Sequence, residues 1–158
     1  DFPTGTAPFS IAIGDLDGDG KPDLAVANEG DNTISVFHNE LDITPPVVTS
    51  VSVPSNATYV SGQNLDFTIN TSENITVDET GGTPELSLTI GSDTKQAAYL
   101  SGSGSTALIF RYTVQTGDED TDGITVGTLA LSSGTMKDGA GNDLNLTLKS
   151  VGNTAEVH

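Results

Sequence analysis

Apolar residues recur at every second position through most of this chain, and that period constrains the fold more than any other feature. Leu65, Phe67 and Ile69 alternate with Asp66, Thr68 and Asn70. Leu86, Leu88 and Ile90 alternate with Ser87 and Thr89, and Leu108, Phe110, Tyr112 and Val114 with Ile109, Arg111 and Thr113. Successive side chains of a strand point to opposite faces, so this pattern builds sheets with one apolar face. Helical periodicity is nearly absent, and Gly, Asn, Asp and Ser break the runs as turn residues do. The expected fold class is all-β.

The pattern divides the chain. In residues 1–41, short apolar runs at Phe9–Ile13, Leu24–Ala27 and Thr33–Phe37 predict a meander of about three strands. Asp42, Thr44, Pro45 and Pro46 then form a stiff segment, because consecutive prolines fix φ and favour extended chain. A domain boundary is placed there. Residues 42–158 read as strands at regular spacing: Val47–Val53, the three alternating runs above, Ala97–Leu100, Ile124–Leu131 and Leu144–Leu148. Seven or more short strands, each with one apolar face, predict a two-sheet antiparallel sandwich. Gly127 inside its strand suggests a bulge, and Ser101–Ser105 a hairpin tip.

Composition narrows the function classes. Carboxylates outnumber basic residues 22 to 5, for a formal net charge of −17. Such a surface repels nucleic acid and anionic lipid and invites divalent cations. There is no Cys, so neither disulfides nor thiolate chemistry is open to this chain. Small modules without disulfides commonly use bound metal as a staple. The sequence opens at Asp1 and has no apolar run long enough for a signal peptide or a membrane span. It is expected to be a piece of a longer protein, with no membrane insertion.

The densest acidic cluster is Asp15–Asp23, D-L-D-G-D-G-K-P-D. Asp15, Asp17, Asp19 and Asp23 fall at positions 1, 3, 5 and 9, and Gly18 and Gly20 let the backbone curl. The backbone carbonyl of Lys21, at position 7, is placed to add another oxygen. Calcium takes six to eight oxygen ligands in a flexible cage, which this spacing suits better than the water-retaining demands of magnesium. The plain alternative is a solvated Asp-Gly turn, against which stands the mutual repulsion of four clustered carboxylates without a cation.

The run P-F-S-I-A-I-G-D-L-D-G-D-G-K-P-D-L-A-V-A-N, followed by T-I-S-V-F-H-N, resembles the FG-GAP (VCBS-like) repeat, found in integrin α-chain propeller blades and in many bacterial surface proteins. The resemblance implies calcium held by the side chains of Asp15, Asp17, Asp19 and Asp23 with the Lys21 carbonyl. It departs from a propeller in having a single repeat, of about three strands where a blade normally has four.

A second acidic constellation lies further on. Gly117–Gly123 reads G-D-E-D-T-D-G, Lys137–Asp143 reads K-D-G-A-G-N-D, and Ser72-Glu73-Asn74 interrupts a strand pattern with a carboxylate. Asp118, Asp120 and Asp122, with Glu73 and Asp138, are candidate ligands for a further calcium ion if the segments converge. Tight-turn chemistry explains the same residues equally well. From Asp42 onward the succession P-P-V-V-T-S-V-S-V-P, Y-V-S-G-Q-N-L-D-F-T-I-N-T-S-E-N-I-T-V, L-I-F-R-Y-T-V-Q-T-G-D-E-D-T-D-G-I and K-D-G-A-G-N-D resembles bacterial Ig-like, cadherin-like repeats of the SwmB type. That resemblance implies a spacer or adhesive sandwich rigidified by calcium at module junctions, which Asp42 could join.

Catalytic chemistry finds little support. His38 and His158 are the only histidines and lie far apart in sequence, and no nucleophile-elbow motif is present. The expectation is a non-catalytic, calcium-binding, extracellular structural or adhesion segment of a bacterial surface or secreted protein. Its partners are neighbouring repeats and a host or environmental glycan or protein. The alternative is an accessory glycan- or protein-binding module of a secreted enzyme, with a pocket near Phe37, Tyr59 or Tyr99.

Overall fold

The computed structural model describes residues 2–158. Over this range the chain forms ten strands and no helix. It divides into two compact units, one ending at Asp42 and the other running Ile43–His158.

The first unit is a three-stranded antiparallel sheet of β1 (Pro8–Gly14), β2 (Asp23–Asn28) and β3 (Thr33–Phe37), in that order. Cross-strand partners share a face. Ile11 pairs with Val26 and Val26 with Ser35, while Ala25 pairs with Val36 and Ala27 with Ile34. Ile11 and Ile13 therefore lie on one face, Ile34 and Val36 on the other, and all four are exposed. Val26 is the one buried apolar side chain among the described residues of this unit. Phe2 stacks edge-on against Phe37, with ring centroids 5.5 Å apart.

The second unit is a seven-stranded sheet. Its strands are β4 (Val48–Ser52), β5 (Asn64–Asp78), β6 (Glu85–Ile90), β7 (Asp93–Ser101), β8 (Ser105–Thr113), β9 (Thr125–Ala130) and β10 (Thr135–Lys137). The hydrogen-bonded order is β10-β5-β8-β7-β6-β9, with β4 also on β5. Where the alternation predicts two separate sheets, the pairing links all seven strands through one continuous ladder. The sheet curls, because residues from its two ends, Leu129 of β9 and Met136 of β10, belong to the same buried cluster as Phe67, Ile69, Leu88, Leu108 and Phe110.

The alternating residues Leu65, Phe67, Ile69, Leu86, Leu88, Ile90, Leu108, Phe110 and Tyr112 are all buried, which is the inward face the period demanded. Burial of a side chain such as Phe67 contributes roughly 1.5–3 kcal/mol. Arg111 points outward and grips Asp66 across the β5–β8 ladder, with both Nε and Nη2 2.6 Å from carboxylate oxygens. Ser72-Glu73-Asn74 marks a break inside β5 rather than its end: between Asn70 and Ile75 the strand takes five steps while β8 takes two, from Ala107 to Ser105. The buried Thr71 hydroxyl helps close the excursion by donating to the Glu73 carbonyl at 2.7 Å. Gly127 sits in a bulge, as three steps from Leu129 to Val126 oppose two from Leu86 to Leu88. A Cβ at Gly127 would lie 2.4 Å from the Ser87 Oγ.

Leu144–Leu148, expected as a strand, is not one. Within it Asn145 makes an isolated parallel bridge to Val47, and just before it Asp143 makes an antiparallel one to Lys137. The reason lies in where its amides go: Leu144 donates to the Met136 carbonyl and Asn145 to that of Pro46, so adjacent residues bond to different neighbours and no ladder propagates. The short β10, with the single buried apolar residue Met136, carried too little alternation to be seen in the sequence.

Candidate metal centre

Gly14, the last residue of β1, pairs with Asp23, the first of β2, so the acidic run closes a hairpin whose two ends are pinned. Within it each Asp bends the chain toward itself. Asp15 accepts from the Gly18 N–H at 2.7 Å and the Gly20 N–H at 3.0 Å. Asp17 accepts from the Asp19 N–H at 3.0 Å, and Asp19 from the Lys21 N–H at 2.8 Å. Short Asp side chains bonding backbone amides two or more residues on are turn-forming devices. Gly18 and Gly20 have φ of 87° and 84°, the left-handed region that the curl requires and that costs glycine little.

The result is convergence. Carboxylate oxygens of Asp15, Asp17 and Asp19 lie within 4.8 Å of one another. Two ligands each about 2.4 Å from one ion can be at most about 4.8 Å apart, so this all-oxygen set fits calcium. Asp23 lies at the base, almost fully buried, where Oδ2 accepts from the Leu16 N–H and Oδ1 from the Asn39 N–H, both at 2.8 Å. Those amides, Asn39 foremost, hold its carboxyl below the usual range against the opposing effect of burial, with the nearby His38 assisting. Lys21 belongs to the same loop, with its Nζ 3.6 Å from Asp19 Oδ2.

His38 is the residue that the sequence reading passed over. Its Nδ1 lies 3.2 Å from Asp17 Oδ2 and 3.7 Å from Asp23 Oδ2. Asp17, Asp23 and His38 form a second group whose donor atoms lie within 4.8 Å. The signal was the hairpin register: Leu24 pairs with Phe37, so one step outward sets Asp23 opposite His38.

The second constellation is built differently. Asp118 accepts from the Tyr112 hydroxyl and the Gln115 N–H, both at 2.7 Å, and pairs with Lys95 Nζ at 2.9 Å. Burial pushes the Asp118 carboxyl up, but the hydrogen bonds from Tyr112, Gln115 and Lys95 outweigh it and hold it below the usual range. Burial, then the bond to Asp118, pushes the Tyr112 phenol up to about 12. Asp120 accepts from the amides of Gly91 at 2.7 Å, Asp122 at 3.2 Å and Gly123 at 2.6 Å. These two carboxylates line one cavity but are held by different partners. Among the described residues, Asp118, Asp120 and Asp122 do not gather into a group with metal-ligand spacing. Glu73 and Asp138 do approach, with carboxylate oxygens within 4.8 Å of each other. Asp138 is buried and accepts from the Ala140 and Asn142 amides and the Asn142 side chain, each at 2.8 Å. Its desolvation is outweighed by these bonds, so its carboxyl too is lowered.

Of the aromatic residues considered for a ligand pocket, Tyr59 lines a cavity together with Asp118, Asp120 and His158. Tyr59 donates to the Ser55 carbonyl at 2.9 Å, and Tyr99 accepts from the Ser103 N–H while packing edge-on against Phe110 at 5.7 Å.

Residues 7–37 match the FG-GAP repeat, and the match does not extend into 42–158. No curated protein and no solved structure matches the chain. The strands β1, β2 and β3, with the acidic loop between the first two, thus make up an FG-GAP repeat within a longer all-β chain.

Proposed function

We propose that this chain is a non-catalytic, calcium-binding structural or adhesion segment of a larger extracellular protein of a bacterial surface or secretome. The observation that carries the reading is the convergence of Asp15, Asp17 and Asp19 in the hairpin loop of an FG-GAP repeat. A calcium ion bound there neutralises the clustered carboxylates and cross-links the loop. Because Asp15, Asp17 and Asp19 converge only in the folded hairpin, such binding stabilises the fold by mass action. Asp23, fixed by Leu16 and Asn39, couples the loop to the end of β3.

The same unit supports the expectation of neighbouring repeats as partners. A three-stranded sheet with one buried apolar side chain has little core of its own. Phe9, Ile13 and Ile34 are 80%, 74% and 69% exposed, and apolar groups left open on both faces suit packing against further repeats of the parent chain. The Ig-like, cadherin-like reading of 42–158 is supported by the curled antiparallel sheet and makes that unit a spacer.

The test is calorimetric titration with calcium, magnesium as control, on the whole chain and on Asp17→Ala. Calcium-specific heat in the parent that disappears in the variant is expected. Equal, negligible heats for both cations in the parent protein would leave the loop an acidic turn.

A further inference from the structure

The loop presents two different donor sets that share one residue. The first, Asp15, Asp17 and Asp19, is all oxygen. The second, Asp17, Asp23 and His38, contains an imidazole nitrogen. Calcium is a hard cation that selects oxygen, whereas imidazole suits zinc, copper, nickel and iron. We propose that the Asp17–Asp23–His38 face binds a transition-type divalent cation, of which Zn2+ is the representative, in competition with calcium through Asp17 and through Asp23, which the FG-GAP resemblance also assigns to calcium.

The spacing matches the smaller ion. Zinc sits about 2.1 Å from nitrogen and oxygen ligands, so tetrahedral ligands lie about 3.4 Å apart. The distances from His38 Nδ1, 3.2 Å to Asp17 Oδ2 and 3.7 Å to Asp23 Oδ2, bracket that value. The three residues come from three places: the loop, the first residue of β2 and the position after β3. The strand register, rather than a flexible loop, brings His38 to Asp23. Asp23 is oriented by amides on both oxygens, the kind of supporting shell that fixes a metal-binding carboxylate. His38 and Asp17 side chains are 50% and 40% exposed, which leaves a way in for the ion and a solvent position for a water ligand. The competition, though not the zinc half-site itself, rests on the calcium reading above.

The experiment is calorimetric titration of the whole chain with Zn2+ and, separately, Ca2+, with His38→Ala, Asp15→Ala and His158→Ala compared with the parent. Nitrogen NMR of the imidazoles provides the second readout. The expected result is that His38→Ala weakens Zn2+ binding about tenfold or more and leaves Ca2+ binding intact, which also shows that the loop still folds. Asp15→Ala weakens Ca2+ and spares Zn2+, added Ca2+ raises the apparent Zn2+ Kd, and Zn2+ shifts the Nδ1 resonance of His38. Zn2+ affinity unchanged by His38→Ala overturns the proposal, as does its loss in His158→Ala, which would move the ion to the His158–Glu156 pair. A parent protein that binds Zn2+ through His38 but no Ca2+ removes the calcium reading and the competition while the zinc half-site stands.

Discussion

Asp120→Ala separates a structural carboxylate from a calcium ligand. Asp120 is the acceptor for three backbone amides, and the bond from Gly91 joins the β6–β7 turn to a loop 29 residues away. Leaving buried donors unpaired costs about 1–3 kcal/mol, and these donors are partly reachable by water, so about 1–2 kcal/mol is expected. That corresponds to a fall in Tm of roughly 3–10 °C for a unit of this size. All three tyrosines, Tyr59, Tyr99 and Tyr112, lie in 43–158 and there is no Trp, so tyrosine emission follows unfolding of that unit alone. Denaturant titrations in excess EDTA and in millimolar calcium should give the same loss. Asp120→Asn keeps an oxygen for the Asp122 and Gly123 amides and gives up the Gly91 bond, so its cost should fall to about 1 kcal/mol or less. A loss that appears in calcium and vanishes in EDTA would refute the reasoning, because it would make Asp120 a ligand and not a clamp.

The raised phenol of Tyr112 should be visible as one tyrosine ionising near 12 in an alkaline absorbance titration. Its folded pKa lies above the unfolded value of about 10, so the stability it contributes is complete below pH 10 and lost as pH rises through 12. Asp118→Asn should lower that transition, because the carboxylate acceptor is then gone. Asp118 and Asp138 run the other way: their folded carboxyls are lowered below 3.8, so their contribution is present above that pH and lost as pH falls through the lowered values. Acid unfolding followed by tyrosine emission should steepen below pH 4 in the parent and flatten in Asp118→Asn. Gly127→Ala places a methyl 2.4 Å from the Ser87 Oγ that accepts the Thr128 N–H, and the forced shift should destabilise the unit by about 1–3 kcal/mol in a urea titration.

The sequence by itself determined the fold class, the inward-facing residues of β5, β6 and β8, the bulge at Gly127, and an acidic loop with ligands at alternating positions. These are local properties: side-chain period, turn chemistry and short-range spacing are written along the chain. Tertiary structure alone decided the rest, because it depends on which distant segments meet. Alternation does not say which strands pair, so the single curled ladder joining β10 to β9 could not be read in advance. The run Leu144–Leu148 had the period of a strand but found no edge to continue on. Asp118, Asp120 and Asp122 had the spacing of a metal loop, yet Tyr112, Lys95 and Gly91 arrive from other strands and turns and occupy the first two as hydrogen-bond acceptors. His38 looked isolated, 15 residues beyond Asp23, until the β2–β3 register folded it back onto the loop.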